Sequence, residues 1–175
     1  VFSKEIVWTK GATEAINLVA NGLKKRLNES HTIMISPLEH HANIVPWQIV
    51  SQQTGAKLIA LPLNKNGTLN IKECCEYIKK TKPALLAITQ ASNTLGNITD
   101  LKPLIRAAKD VNSLVLVDGA QGALHLKPDL RELDCDFYVC SSHKMLGPTG
   151  LGVLYGRYEQ LNTLEIYQSG GEMID

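Results

Sequence analysis

Leu114-Val115-Leu116-Val117-Asp118-Gly119-Ala120-Gln121 is the stretch around which the rest of the chain arranges itself. Four apolar residues run without alternation into one carboxylate, and a turn of small residues follows. An unbroken apolar run of that length marks a strand covered on both faces, as in parallel sheets. Leu114–Asp118 is therefore read as a central strand. Upstream of it, Leu101–Asp110 has a helical pattern with Pro103 in its first turn, and Ala84–Gln90 is another strand. Downstream, Asp136–Cys140 and Gly152–Tyr155 are strands with no clear helix between them.

Moving outward to the amino end, Ile6–Thr9 reads as a strand and Thr13–Leu27 as a helix. Thr32–Ser36 is a strand, and Asn43–Gln53 is helical with Pro46 in its first turn. Lys57–Leu63 is a strand closed by a turn at Asn66-Gly67, and Ile71–Lys80 is a helix. Strands alternating with helices predict an α/β domain of three layers, αβα, around a mostly parallel sheet of about seven strands. The last two strands, joined by a glycine-rich loop, are able to make that sheet mixed. The segment after Arg157 reads as the start of an exit from the domain.

A chain of 175 residues suffices for one domain with a full core. A net charge of +1 gives no general electrostatic case for nucleic acid or an anionic membrane. No apolar run is long enough to span a bilayer, and the opening Val1-Phe2-Ser3-Lys4 is unlike a signal peptide. The absence of an initiator Met and the abrupt end at Gly171-Glu172-Met173-Ile174-Asp175 point to a piece of a longer protein. Cys74, Cys75, Cys135 and Cys140 contain no Cys-x-x-Cys pair, so they form no metal-ligand pattern, and reduced thiols in a cytosolic setting are the simpler reading.

Ligands of such sheets bind at the carboxyl ends of the strands, and chemistry-bearing residues collect there. Lys10-Gly11-Ala12-Thr13-Glu14 lies where a strand becomes a helix. Backbone N–H groups and the Thr13 hydroxyl form a phosphate site there, unless Thr13 is only a helix cap. Asp118 is a carboxylate ending a buried strand. It is either paired, or holds a ligand such as a cofactor's pyridine nitrogen, or binds a metal. In Ser141-Ser142-His143-Lys144-Met145-Leu146-Gly147-Pro148-Thr149-Gly150, a lysine follows a buried strand and precedes a Gly/Pro loop. Such a setting makes an amine nucleophilic toward an aldehyde, whereas an ordinary loop lysine is solvated. Ser141 and His143 stand within reach of a phosphate beside it. His40 or His41 is placed to stack on a flat ring, or is simply structural. Asn93 and Gln121 are amides at strand exits, able to donate to a phenolate oxygen or to bond their own backbone.

Five motifs taken in order resemble one family: Gly11-Ala12-Thr13-Glu14-Ala15-Ile16-Asn17, Glu39-His40-His41-Ala42-Asn43, Ser92-Asn93-Thr94-Leu95-Gly96, Val117-Asp118-Gly119-Ala120-Gln121, and Ser142-His143-Lys144 with Gly147-Pro148-Thr149-Gly150. The chain resembles class V, fold-type I enzymes dependent on pyridoxal 5'-phosphate (PLP), of the cysteine desulfurase and selenocysteine lyase kind that mobilises sulfur. The resemblance implies that residues 1–175 are the PLP-binding large domain, with a preceding segment and a following small domain absent. It implies that Lys144 is the Schiff-base lysine and proton shuttle, that His40 stacks on the ring, and that Asp118 pairs with the pyridine nitrogen. Gln121 would bond the phenolate oxygen, Asn93 would lie near cofactor or substrate, and Ala12, Thr13, Ser141 and His143 would form the phosphate end. Ala12 and Ser142 depart from the residues relatives often carry there, Thr or Ser and Gly respectively. Both are small.

The implied substrate is L-cysteine or selenocysteine, with alanine and an enzyme persulfide as products and a sulfur-acceptor protein, as in iron–sulfur cluster assembly, as partner. The implied parent is a cytoplasmic homodimer. None of the four cysteines matches the family's catalytic cysteine, so the piece alone is expected to be inactive. Another class V lyase or aminotransferase is the neighbouring reading. A non-catalytic α/β binding or scaffold domain is the reading from another class. A nicotinamide domain would need a glycine fingerprint that Lys10-Gly11-Ala12-Thr13 lacks.

Overall fold

A computed structural model describes residues 1–171, so most of the abrupt end read above, Glu172–Asp175, lies outside the described residues. The seven strands are β1 (Ile6–Thr9), β2 (Thr32–Ile35), β3 (Lys57–Ala60), β4 (Leu85–Thr89), β5 (Leu114–Asp118), β6 (Phe137–Ser141) and β7 (Gly152–Gly156). They form one sheet in the order β1-β7-β6-β5-β4-β2-β3. Pairing is parallel from β3 through β2, β4 and β5 to β6, and antiparallel on both sides of β7. β1 therefore points the same way as β2 to β6, and β7 alone runs against them. The sheet is mixed, as the glycine-rich loop before β7 allowed.

Strand alternation sorts the side chains into two cores, which makes the fold three-layered. On one face Ala87, Leu116, Phe137, Val139 and Leu154 meet α1 (Ala12–Leu23) and α2 (Val45–Thr54), whose Ile16, Val19, Leu23 and Trp47 are buried. On the other, Leu86, Ile88, Val115, Val117 and Tyr138 meet α3 (Ile71–Thr81) and α4 (Leu101–Lys109) through Cys74, Ile78, Leu104 and Ile105. Burial of both faces explains why Leu114–Val117 shows no polar alternation. Among the described residues no helix is long and apolar enough to cross a membrane.

Boundaries moved where side-chain bonding or backbone conformation overrode the apolar pattern. α2 starts at Val45, because His41–Asn43 forms a 3-10 turn, and it ends at Gly55, whose φ of 77° is open to glycine. Two short helices, α5 (Gly122–Leu126) and α6 (Leu130–Leu133), carry the chain from β5 to β6.

The segment after Arg157 does not leave the domain at once, although residues 165–171 are exposed. It forms α7 (Tyr158–Leu161) and then returns to α1. Leu164 fills the space that a side chain at Gly22 would occupy: a Cβ there would lie 2.8 Å from the Leu164 Cβ. The Glu165 N–H donates to the Gly22 carbonyl (3.0 Å), and Lys25 and Arg26 reach Glu165 and Thr163, each at 2.7 Å. The missing side chain of one helical glycine makes the docking slot, and hydropathy does not reveal it.

Candidate active site

Because six strands share a direction, the exits of β1, β2, β4, β5 and β6 gather along one edge of the sheet. Register aligns them: Thr89 is opposite Asp118, Asp118 opposite Val139, and Gly152 is flanked by Thr9 and Ser141.

Asp118 is buried, and its Oδ1 accepts from the Ala120 N–H at 2.8 Å. Among the described residues it joins no salt bridge, and nothing donates to its other oxygen. Burial pushes its pKa up, opposed in turn by the Ala120 hydrogen bond and by the charges of Lys144 and His40. The three residues singled out from three different strand exits thus share one electrostatic neighbourhood. Among the described residues no group of three His, Cys, Asp or Glu side chains converges as a metal site would require.

Lys144 is half-buried in a 3-10 turn, Ser142–Met145, that ends at Leu146 with φ 64°. The turn is tied at both ends: Ser142 N–H donates to the Leu151 carbonyl (2.9 Å) and Gly147 N–H to the Ser142 carbonyl (3.0 Å). Among the described residues no carboxylate forms an ion pair with Lys144.

Beside it lies the start of α1. Ser141 Oγ accepts the Ala12 N–H at 2.8 Å, and among the described residues the Ser141 hydroxyl donates to no acceptor. The Ala12 amide is thus committed to Ser141, and its methyl packs into the core, so Ala12, expected from the sequence to face a phosphate, has no free donor of its own. Thr13 is exposed on the first turn. No acceptor meets the Thr13 or Glu14 N–H among the described residues. Free N–H groups at the start of a helix attract anions. The close approach depends on Gly152, where a Cβ would lie 2.4 Å from the Gly11 Cα. His143 is exposed beside this cup, Gln121 is half-buried at the head of α5, and Asn93 is exposed in a turn between Ala91 and Ile98, with no side-chain bond among the described residues.

Residues to which the sequence reading gave no role of their own hold these groups in place. Tyr138 Oη donates to Gln90 Oε1 at 2.8 Å, in the buried layer beneath the Asp118–Gln121 turn. Gly119 rests on the Tyr138 ring and Gly122 on Gln90: added Cβ atoms would come within 1.9 Å and 2.2 Å of them. The two glycines were the available signal, since a backbone that must lie flat on a side chain admits no Cβ. Glu39 is buried next to His40. Its Oε1 accepts from Ser36 Oγ and from Thr89 N–H (2.7 Å), its Oε2 from Asn43 Nδ2 (2.6 Å), and Trp47 Nε1 donates to Asn43 Oδ1 (2.9 Å). Burial raises its pKa to about 8, with the nearby Asp118 adding in the same direction.

The thiols lie in unfavourable settings. Burial pushes Cys74 up to about 11 and Cys135 up to about 12, and it also raises Cys75 and Cys140.

The sequence matches the family described as aminotransferase class-V over residues 1–175. It is 48% identical to a probable cysteine desulfurase of Halalkalibacterium halodurans, over 99% of this chain and 43% of that protein. It is 46% identical to the cysteine desulfurase CsdA of Escherichia coli, over 98% of this chain and 43% of the relative. The fold superposes on the crystal structure of that enzyme with a TM-score of 0.92, again covering 98% of this chain and 43% of the other. An apo cysteine desulfurase of Thermococcus onnurineus gives the same TM-score at 38% identity, covering 98% of this chain and 43% of that one. The chain spans less than half the length of the relatives it matches, and with its whole length inside the family's pattern it belongs to the class-V aminotransferase family.

Proposed function

We propose that residues 1–175 are the PLP-binding large domain of a cysteine desulfurase longer than this chain. The family is one of PLP enzymes. The observation that carries the reading to this chain is Asp118: a buried carboxylate with one backbone donor, an oxygen left over, and Lys144 and His40 as its nearby charges. The side chains fit the cofactor. A ring with a basic nitrogen, a phenolate oxygen, an aldehyde and a phosphate calls for a carboxylate, an amide, an amine and a cluster of donors. Asp118, Gln121, Lys144, and Thr13 with Ser141 and His143 are those groups.

PLP, when bound, supplies an electron sink for charge developing at the substrate α carbon. The chain's own residues do the rest. Asp118 would keep the ring nitrogen protonated, and Lys144 Nζ would hold the aldehyde carbon. Once displaced by a substrate amine, Lys144 would take and return a proton at the substrate α carbon. His40 would cover one ring face, with Asn93 at the rim. Ala12 would act by fixing Ser141. The substrate is proposed to be L-cysteine, released as alanine. The sulfur passes to a cysteine outside these residues, since all four thiols here are raised and thiolate is the nucleophile. The whole protein is proposed to be a cytoplasmic homodimer that delivers sulfur to an acceptor protein, as iron–sulfur cluster assembly requires.

The test is the absorption spectrum of the chain with PLP after desalting, beside Lys144→Ala. A visible band that survives desalting, is absent from the variant and is fixed to Lys144 by borohydride is expected. Identical spectra from the two chains, and from the longer protein and its own lysine variant, would sink the reading.

A further inference from the structure

We infer that Glu39 is a positioning residue for His40, tying the loop before α2 to the exit of β4 beside Asp118. The inference rests on the PLP reading for its consequence, though not for its geometry. The hydrogen-bonded chain has a donor at each end that cannot reverse. Trp47 Nε1–H only donates, so Asn43 must turn its oxygen to Trp47 and its amide to Glu39. Thr89 N–H, at the other end, also only donates. The group at position 39 must therefore accept on both oxygens. A carboxyl does so, ionised or with its proton turned to Ser36, and an amide does not.

With an amide at position 39, no flip of that group or of Asn43 would satisfy every partner. Asn43 is joined to His40 through the backbone as well, its N–H donating to the His40 carbonyl at 2.8 Å, so both residues that bracket the His40 turn depend on this carboxyl. Thr89 is the residue paired with Asp118, so the clamp ties the His40 loop to the strand that adjoins the Asp118 backbone. Burial with no cation among its hydrogen-bond partners also makes the carboxyl poorly suited to being a surface ion-pair residue.

Reversing the polarity tests this. In Glu39→Gln, two donors face each other between positions 39 and 43. In Glu39→Gln with Asn43→Asp, the new carboxylate at position 43 accepts both from Trp47 and from the amide at position 39, and order is restored. Two readouts are taken on the full chain: the His40 Hε1 resonance without cofactor, and the affinity for PLP. The single variant is expected to move the His40 resonance and weaken PLP about tenfold, the scale of one unsatisfied buried donor, and the double variant to return both toward wild type. If the single variant does not fold, the double variant decides by itself: folded with the wild-type His40 resonance supports the clamp, and unfolded or displaced overturns it. An unmoved resonance in the single variant also overturns it. A wild-type chain that takes up no PLP sinks the proposed function instead, while the resonance still decides Glu39.

Discussion

Asp118 and Asp136 are both buried aspartates, one ending β5 and the other just before its parallel neighbour β6, so they lie at opposite ends of adjacent strands and are treated in opposite ways. Asp136, just before β6, pairs with Lys109 at 2.5 Å, has Arg157 Nε at 3.9 Å, and accepts the Val115 N–H at 2.7 Å. Asp118, at the end of β5, has one backbone donor and no ion pair among the described residues. The first carboxylate is satisfied by the fold, joining α4, β5 and β6. The second is left with capacity to spare. Burial alone does not mark a functional carboxylate, because an unpaired one is costly to keep. The distinguishing feature is the partner that the fold withholds.

Four experiments press on that contrast. Asp136→Ala removes one partner of a buried pair and strands the Val115 N–H, so a loss of about 3 kcal/mol is expected in denaturant unfolding. A change below about 1 kcal/mol, by the same scale, would remove the structural half of the comparison. Next comes the pH dependence of Glu39. Its folded pKa is raised from an ordinary 4.5 to about 8, so folding takes up a proton between those values. Its contribution is fully present below the lower value and is lost as the pH rises through the upper one. The stability of wild type relative to Glu39→Gln should therefore fall from about pH 5 to about pH 8, and a flat difference would show that the carboxyl is ionised throughout.

Gly152→Ala drives a Cβ into the Gly11 backbone and should cost about 2 kcal/mol while loosening the anion cup, read as weaker binding of PLP. The smallest effect on stability belongs to Asp118→Asn, expected to stay within about 1 kcal/mol of wild type or to gain, since it neutralises a buried charge without an ion pair. The same variant should lose affinity for PLP. A large destabilisation there would make Asp118 a structural residue like Asp136.

The sequence located β1 and β5 to the residue, because an apolar run bounded by turn residues is a local signal. It also named Asp118, Lys144 and His40, which the fold then brings together from exits far apart in sequence. The glycine-rich loop also allowed a mixed sheet, although the pairing of β7 with β1 could not be read from it. What the sequence left unread is long-range. The return of Leu164 onto α1 depends on a gap at Gly22. The role of Glu39 depends on which way a tryptophan more than one helical turn away must donate. Each of these is a relation between partners, and no property of a single segment encodes it.

The hydrogen bond from Ala12 N–H to Ser141 Oγ joins residues 129 positions apart, while the turn carrying Lys144 is closed by contacts within its own hairpin. Local contacts form early in folding and distant ones late, because loop closure must come first. The lysine turn can therefore exist in a chain whose anion cup does not, until β1 has docked against β7. On the proposed reading, tight retention of a phosphate-bearing ligand would then report that the two ends of the domain have met, which would make cofactor uptake a checkpoint on completed folding.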